Sequence, residues 1–400
     1  MGWELYVLKA VAVLLIFGGV LSVVPFLVFF ERKISAFIQD RVGPNRVGLA
    51  GPDSLLEAFG FRKGTRRVLG GWLQPLADVI KLFTKEALIP AHADRPLYLL
   101  APLFAVLPPL LAFVVIPVGQ DIVVSSGVLV KLQVADLHVG ILFVLAVASL
   151  SAYGLAFGGW ASNSKFPLLG GVRAMAQMVS YEVGMVLVIL ALVMSYDSVS
   201  LRDMVSRQAA GGTLLGIWDC DGDWIWGWGL FHQPLAFVLF AICALAENNR
   251  LPFDLPECES ELVGGYHTEY SSMGFGMFFQ GEYIAMMAMG GLLATMFLGG
   301  WHYPGYAWLN ASDSLLVHLL AALIGLAVFG VKMLGFVFFA MWVRWTLPRF
   351  RWDQLMRVGW KGIIPLALAN LVLTAALNLP APAPAHEKPD RNLTAVTRDR

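Results

Sequence analysis

Carboxylates are concentrated in one segment, residues 247–281, in which Arg250 is the single Lys or Arg. The segment is rich in Gly, Pro, Tyr and Phe, and its acids alternate with apolar residues. Carboxylates that share a region of low dielectric cannot all ionise independently, so their protonation is coupled and responds to a nearby charge. The pattern therefore allows two interpretations, a solvated acidic surface or a proton-handling group. The acids are Glu247, Asp254, Glu257, Glu259, Glu261 and Glu269, and Glu282 follows directly after the segment.

Two ionisable residues stand inside long apolar runs. Glu182 lies within residues 174–196, and Lys332 lies within residues 315–343. Ionisable groups deep in a membrane are costly, and they face the interior of a helix bundle or a water-filled cavity. We expect Glu182 to belong to a proton path, although a neutral, hydrogen-bonded Glu or a pair with Lys332 also fits. For Lys332, a proton path and a structural counter-ion fit equally well.

The composition predicts that these residues are positioned by membrane-spanning helices. Of the 400 residues, 58% are hydrophobic and 14% are charged, which is too apolar for a water-soluble surface. A span needs about 20 apolar residues. The predicted fold class is an all-α integral membrane protein with about eight transmembrane helices in a single domain, residues 1–379. The apolar segments are residues 10–30, 97–118, 137–158, 174–196, 230–247, 282–300, 315–343 and 361–379.

The basic residues predict an orientation for these spans. Eighteen of the 28 Lys and Arg residues lie in the connections after the odd-numbered spans, and three lie in those after the second, fourth and sixth. The positive-inside rule then predicts that the odd connections are cytoplasmic and that both termini lie on the opposite side. The first apolar run lacks a small-residue cleavage site, so we expect it to remain as a span. The predicted cytoplasmic connections are residues 31–96, 159–173, 247–281 and 344–360.

The first connection contains a turn-rich stretch followed by an amphipathic helix. Gly and Pro at residues 39–48 exclude a regular element there, whereas residues 72–88 have helical periodicity. Such a helix suits the membrane surface or a seam between spans. Residues 380–400 are rich in Pro and Ala and then charged, which predicts a disordered tail. The apolar face of the helix comprises Leu73, Leu76, Ile80, Phe83 and Ala87, and the polar face comprises Gln74, Asp78, Lys81 and Lys85.

The three cysteines are too scattered for a metal centre. Cys220, Cys243 and Cys258 form no CxxC pair, which is the spacing typical of iron–sulfur and zinc sites. We therefore expect this chain to bind no metal, and we expect any electron-carrying metal to belong to a partner.

Several motifs together resemble one family, the quinone-site membrane subunit (the H subunit) of proton-pumping NADH:quinone oxidoreductase, respiratory complex I. The resemblance covers nearly the whole chain in order. Its motifs are ERKISAFIQDRVGPNRVG at residues 31–48, LQPLADVIKLFTKE at 73–86, VSYEVG at 179–184, AENNRLPFDLPE at 246–257, ESELVGGYHTEY at 259–270 and WVRWTLPRFRWDQLM at 342–356.

The resemblance implies a specific function. Such a subunit builds the membrane side of a quinone tunnel and couples quinone reduction to proton translocation across a bacterial-type inner membrane. Quinone is then the substrate, and this chain itself carries no cofactor. FMN and iron–sulfur clusters are expected in partner subunits. The expected partners are the peripheral quinone-site and iron–sulfur subunits, small neighbouring membrane subunits and the lipid bilayer, with no nucleic acid.

The resemblance also implies roles for individual residues. In the family, a tunnel leads to the quinone site, and a chain of carboxylates passes the effect of quinone reduction to the pumping subunits. By this resemblance the proton path comprises Glu182, Glu247 and Glu282. The tunnel residues are Arg32, Phe37, Asp78, Arg250, Asp254, Glu257, Glu259, Glu261 and Glu269.

The chain departs from the family pattern at four places. An extra stretch, residues 53–71, separates the first two motifs and puts the geometry of the tunnel mouth in doubt. Cys258 stands where a small residue is usual, the pair Gln280 and Gly281 is atypical, and the connection 197–229 is longer than expected.

Three alternatives remain compatible with the sequence. A membrane subunit of an energy-converting hydrogenase has a similar fold and no quinone as substrate. A stand-alone proton or ion transporter could use Glu182 and Lys332, although no corresponding broken helices in two halves are visible. A passive scaffold could use the carboxylates only to dock a peripheral arm.

Overall fold

The computed structural model describes residues 3–45, 47, 71–123, 129–210, 212–214, 218–220, 227–306, 309 and 315–378. The predicted disordered tail and nearly all of the extra stretch 53–71 lie outside these residues, as does part of the connection 197–229. Over the described residues the chain is helical apart from two short antiparallel hairpins, β1 (Ile122–Val123) with β2 (Leu129–Val130) and β3 (Gly212–Leu214) with β4 (Trp218–Cys220). The predicted all-α class is confirmed.

Thirteen α-helices are resolved within the described ranges. A 3-10 turn (Gly265–His267) precedes α10, and a π-helical turn (Val358–Ile363) joins the last two helices. The helices are α1 (Trp3–Ile38), α2 (Gln74–Thr84), α3 (Arg95–Ala112), α4 (Gly140–Ala161), α5 (Lys165–Tyr196), α6 (Leu201–Ala209), α7 (Gly229–His232), α8 (Pro234–Glu247), α9 (Glu259–Leu262), α10 (Ser272–Phe297), α11 (Leu315–Thr346), α12 (Trp352–Arg357) and α13 (Ile364–Leu377).

All eight predicted apolar segments form helices. Among the described residues, six helical segments are long and apolar enough to cross a membrane, and the fifth predicted span forms the shorter apolar helix α8. The sixth forms α10, which has 26 residues but includes Gln280 and Glu282. Several helices extend beyond the predicted spans into the predicted connections. The six segments are Ala10–Ile38, Arg95–Ala112, Gly140–Ala161, Lys165–Tyr196, Leu316–Thr346 and Trp352–Leu377.

The bundle is organised around α5 and α10. Helices α3, α4 and α5 pack in sequence, α8 and α13 pack on α5, and α10 packs on α3 and α11. Helix α1 contacts α2, α10 and α11. Close approach needs small residues: a Cβ at Gly281 would lie 2.5 Å from the carbonyl oxygen of Ala105. The atypical Gly281 therefore allows α10 to lie against the backbone of α3.

The odd and even connections segregate to opposite ends of the bundle, as the distribution of basic residues predicts. Hydrogen bonds link the first connection to the third and the fifth, and the fifth to the seventh. The second and fourth connections meet at the other end, through the ion pair of Arg202 with Asp121. The odd-connection bonds are Asp94 N to Ala161 O, Leu88 N to Ser271 Oγ, and Phe350 N to Pro252 O.

Backbone carbonyl groups and an aromatic ring surround the amino group of Lys332. Its Nζ donates to the carbonyl oxygens of Leu298, Gly300 and His302 at 2.7, 2.8 and 2.9 Å, and it lies 4.4 Å from the ring centroid of Trp228. A cation at a helix C-terminus satisfies carbonyls that have no partner within the helix. Lys332 therefore caps α10, and the predicted alternative of a pair with Glu182 is not what the structure shows.

Candidate functional site

A cavity of about 430 Å³ lies between α1, α2, α10 and α11 near the odd-connection end. Most of its wall is apolar, and charged side chains converge at one region of it. The lining residues of each helix recur at helical spacing, so a single face of each helix lines the cavity. The lining includes Val24, Val28, Glu31, Arg32 and Ser35 of α1, Pro75, Asp78, Val79, Lys81 and Leu82 of α2, Phe275, Gly276, Phe279, Gln280 and Tyr283 of α10, and Arg344 and Trp345 of α11.

Helix α2 borders this cavity and contributes Asp78 to its polar region. Asp78 accepts a hydrogen bond from Arg32 Nη1 at 2.7 Å and another from Gln74 Nε2 at 3.0 Å. The predicted apolar residues Leu76, Ile80 and Phe83 are exposed on the opposite side. The helix is shorter than the predicted 72–88. Asp78 and Lys81 therefore line the cavity together with the apolar Pro75, Val79 and Leu82, while Leu76, Ile80 and Phe83 are left to contact lipid or another chain.

A buried ionic network stands behind the cavity wall. Arg250, 2% exposed, donates through Nη1 to both carboxylate oxygens of Glu31 at 2.9 Å. Its Nε is in close ion-pair contact with Glu282, and its guanidinium carbon lies 4.5 Å from the ring centroid of Tyr283. Arg250 thus pairs with two buried acids, Glu31 and Glu282, that belong to different helices.

Glu31 connects the network to the cavity. Its carboxylate lines the cavity and also accepts hydrogen bonds from Tyr283 and from Arg344, the latter at 2.7 Å. Two guanidinium groups and a phenol around one carboxylate keep that carboxylate ionised in spite of its burial. A change of charge inside the cavity therefore acts directly on Glu31, and through Arg250 on Glu282.

Glu282 faces a second, smaller space. A cavity of about 40 Å³ is lined by Glu282, Glu247 and Tyr266 among other residues, and a neighbouring cavity of about 30 Å³ is also lined by Glu247. Each is large enough for water, which needs a cavity of about 10–15 Å³ and several polar partners. One carboxylate oxygen of Glu247, Oε2, has no hydrogen-bond partner among the described residues. The two acids therefore border a space that water can bridge.

Glu182 continues this series. Its carboxylate accepts a hydrogen bond from Ser149 of α4, and its charge acts on Glu247 of α8. Ion pairs thus join Glu31, Arg250 and Glu282, and Glu282 shares a small cavity with Glu247, the neighbour of Glu182.

The rest of the acidic segment forms a partly buried cluster beside these residues. Asp254 accepts from Arg349 Nη2 at 3.0 Å, and the other nitrogen of that guanidinium donates to Cys258 Sγ at 2.8 Å. Burial, together with the nearby charge of Glu257, raises the pKa of Asp254 to about 6. The atypical Cys258 thus occupies a buried position against Arg349.

Glu257 and His267 form an ion pair with 3.8 Å between Oε1 and Nε2, and Tyr266 donates a hydrogen bond to the same carboxylate. Burial raises the pKa of Glu257, but hydrogen bonding and the charge of His267 outweigh burial and hold that pKa below its usual range. For His267, burial lowers the pKa, and Glu257 more than compensates, so the net pKa is raised. The turn that presents this pair requires Gly265, which has a φ of +67°.

The Glu257–His267 pair predicts a pH window for this segment. The stabilisation from His267 is complete below its unfolded pKa of 6.5 and is lost as pH rises through the raised folded pKa. The stabilisation from Glu257 is complete above 4.5 and is lost as pH falls through its lowered folded pKa. We expect amide hydrogen exchange of residues 257–267, corrected for intrinsic rates, to be slowest between these two values and to accelerate as pH rises through the raised pKa of His267.

A matched variant separates this titration from other pH effects. His267→Gln keeps a hydrogen-bond donor and carries no titrating charge, so its corrected exchange profile should be flat over the neutral and alkaline range. An alkaline acceleration that persists unchanged in His267→Gln would contradict the assignment.

The predicted tunnel residues fall into three groups. Arg32 and Asp78 line the large cavity, and Arg250 stands behind its wall. Phe37 is 67% exposed and lies outside the residues that line the cavity. The third group lies in the acidic segment, where Asp254 and Glu257 are mostly buried. The backbone oxygen of Glu269 accepts a hydrogen bond from Tyr98. Glu261 pairs with Arg173, and Glu259 is exposed on α9.

Sequence reasoning missed Glu31, Tyr283 and Arg344 as members of the site. Glu31 stands beside Arg32 and Lys33 at the end of the first span, where basic residues are ordinary membrane anchors, so the sequence does not single it out. A signal was present, since Val24, Val28, Glu31 and Ser35 share one face of α1 at helical spacing. Nothing near Glu31 in the sequence indicates its partner Arg250, which lies 219 residues further along the chain.

The fold and the site together define a multi-pass membrane protein with a large cavity joined to an internal series of ionisable residues. The comparisons with known proteins agree with this class. The family model described as NADH dehydrogenase matches residues 10–375.

Curated relatives narrow the assignment. The chain is 48% identical to an H subunit of the NADH-quinone oxidoreductase of Geobacter metallireducens, over 90% of this chain and 93% of that protein. It is 43% identical to the H subunit of the NADH-quinone oxidoreductase of Flavobacterium johnsoniae, over 93% and 95% of the two chains. The chain belongs to this family of NADH-quinone oxidoreductase subunits. It is therefore one membrane subunit of a multisubunit oxidoreductase, and other subunits of that complex are its partners.

Proposed function

We propose that this chain forms the membrane side of a quinone passage and couples quinone reduction to proton translocation. The observation that carries the proposal is Glu31, which lines the large cavity and is at the same time bonded to the buried Arg250. A molecule in the cavity is thereby in electrostatic contact with an internal proton path.

The cavity has the chemistry that a quinone requires. A quinone has a polar head and a long apolar tail, so its binding site must combine an apolar wall with a few polar groups. Here the apolar side chains of four helices surround Arg32, Asp78, Glu31 and Arg344. The relatives are named as subunits of NADH-quinone oxidoreductases, which supports the same substrate class.

The proposed coupling between quinone reduction and proton movement is electrostatic. Reduction of a quinone to a quinol takes up two electrons and two protons, and protons drawn from neighbouring groups leave those groups more negative near the carboxylates that face the cavity. Arg250 pairs with both Glu31 and Glu282. If its guanidinium group interacts more strongly with one acid, the other acid loses part of that stabilisation and its proton affinity changes. Glu247 and Glu182 then extend the response through the water-sized cavities.

The proposal includes the surroundings of the chain. The electrons would come from FMN and iron–sulfur clusters in partner subunits, and this chain would bind none of these groups. The peripheral quinone-site and iron–sulfur subunits would dock on the odd-connection end, where Glu259 and Glu261 are exposed, and small membrane subunits would lie alongside. The chain would sit in a bacterial-type inner membrane with both termini on the non-cytoplasmic side.

Filling the cavity is expected to block the passage. Val28→Trp places a large ring among the lining residues of α1, and quinone-linked NADH oxidation by the assembled complex should fall about tenfold, as misplacement of a substrate by a small distance can cost more than that. Labelling of the complex by a photoreactive long-tailed quinone should fall in parallel. Electron transfer to a water-soluble acceptor that reacts in the peripheral arm should stay unchanged.

Leu14→Trp is the matched control, because Leu14 lies on the same helix and is exposed outside the cavity. This variant should retain full turnover and labelling. Unchanged labelling in Val28→Trp would place the quinone elsewhere. Purification in mild detergent also tests the hydrogenase alternative, because hydrogenase subunits in place of NADH-oxidising ones would exclude quinone as the substrate.

A further inference from the structure

A separate cavity of about 130 Å³ lies at the opposite end of the bundle, between α5, α7, α8 and α13. It lies near the C-terminal ends of α5 and α13 and the N-terminal end of α8, next to Ser195, Gln233 and Asn378. None of the acids discussed above lines it, and the proposed quinone passage does not use it. The cavity therefore needs an explanation of its own.

Two buried amides leave polar atoms unpartnered in this cavity. Gln233 is 8% exposed and Asn370 is 6% exposed, and both line the cavity. Gln233 Oε1 and Asn370 Nδ2 have no hydrogen-bond partner among the described residues. A buried polar group that has lost its water and gained no partner destabilises the fold. One acceptor and one donor, left over in the same space, indicate a ligand that can both donate and accept.

The amide nitrogen of Gln233 holds this arrangement in place. Nε2 donates to the carbonyl oxygen of Ala191 at 3.3 Å and to Thr374 Oγ1 at 3.2 Å, and it also contacts the hydroxyl of Ser195. These bonds join α8 to both α5 and α13. Gln233 Oε1 is therefore a positioned acceptor.

The rim of the cavity identifies the side from which a ligand enters. Leu235, Leu373 and Leu377 line the cavity and are exposed, and α13 lies within a segment long and apolar enough to cross a membrane. Exposed leucines on such a helix face hydrocarbon. Apart from His232, none of the described lining residues has a titratable side chain, so the site favours an uncharged polar group.

We infer that this cavity binds one membrane lipid through the hydroxyl- and ester-bearing part of its head region. An ester or hydroxyl oxygen accepts from Asn370 Nδ2, and a hydroxyl of the same lipid donates to Gln233 Oε1. The acyl chains lie along Leu235, Leu373 and Leu377. The inference rests on these atoms alone and is independent of the quinone passage.

Photocrosslinking of the intact complex tests this lipid site. The complex is prepared from membranes supplied with a glycerol lipid that carries a photoreactive group on the acyl carbons nearest the glycerol, and labelled peptides are mapped by mass spectrometry. Labelling of residues 370–377 is expected in the native complex. In Asn370→Leu it should fall about fivefold, the effect of losing a single hydrogen bond of ordinary strength. Asn370 Nδ2 has no partner among the described residues, so this variant removes no described side-chain bond.

Two further variants make the test decisive. Gln233→Met keeps the length of the side chain and removes the acceptor together with the bonds that Nε2 makes to α5 and α13, so it should lower the labelling by at least as much. Thr346→Val, at the far end of α11, removes a hydroxyl that bonds only its own helix and should leave the labelling unchanged. Equal labelling in all complexes would overturn the inference. So would a high-resolution map that shows only water, or a side chain of a partner subunit, in the cavity.

Discussion

Replacing Arg250 by Met is expected to produce the largest loss of stability among single substitutions in this chain. The variant leaves Glu31 and Glu282 buried without the cation that neutralises both, and removal of one partner from a buried ion pair costs about 3–5 kcal/mol. Arg344 still bonds Glu31, so the uncompensated charge falls mainly on Glu282. We expect little assembled complex, a lowered temperature of thermal inactivation and no quinone-linked turnover.

Two further variants test the physical reason. Arg32→Met removes a guanidinium whose ion pair with Asp78 is partly exposed, and its effect on stability should stay below about 1 kcal/mol. Adding Glu282→Gln to Arg250→Met removes the stranded charge and should restore part of the thermal stability without restoring turnover. An Arg250→Met complex that assembles as stably as the Arg32→Met complex would show that the buried network carries no stability.

Glu247→Gln is expected to separate electron transfer from proton translocation. The substitution keeps the shape of a buried side chain and removes only its ability to ionise, so assembly should not suffer. A positioned group that transfers protons typically contributes a factor of about 10² or more, so quinone-linked turnover should fall about a hundredfold and pumping in proteoliposomes should be lost. Reduction of a water-soluble acceptor in the peripheral arm should continue at its native rate.

Asp136→Asn is the matched control for Glu247→Gln, because it also neutralises an acid but affects an exposed ion pair with Lys131 at the even-connection end. Its turnover and pumping should equal those of the native complex. Normal turnover and pumping in Glu247→Gln would remove this residue from the proton path. Loss of both in a complex that still assembles would exclude the passive scaffold.

The identities of several site residues could be predicted from sequence, while their contacts could not. By resemblance, Glu247 is predicted on a proton path and the residues from Arg250 to Glu269 at a tunnel. The structure separates the second set: Arg250 is paired with Glu31 and Glu282, Asp254 and Glu257 form a partly buried cluster, and Glu259 is exposed. Sequence spacing treats these residues alike because it carries no information on which side of a loop faces the bundle.

Lys332 and helix α2 show the same limit. An apolar run reveals that Lys332 is deep in a helix, but a cation can neutralise a carboxylate or cap a helix end, and only the position of the end of α10 decides between them. For α2, periodicity separates the polar face from the apolar face. In the structure Leu76, Ile80 and Phe83 are exposed and Asp78 lines the cavity, but Val79 and Leu82 line it too and Lys85 is exposed, so periodicity alone does not decide which face packs inward.

The sequence by itself determined the helical membrane fold, the grouping of the connections at two ends and the family, because apolar length, charge distribution and motifs are properties of the chain read in order. The tertiary structure alone decided that Glu31 faces the cavity, that Phe37 does not, and that Arg250 joins two acids. Those contacts connect residues as far apart as 219 positions. They depend on how the helices pack, and helix packing is set by the fit of whole faces, which no local pattern encodes.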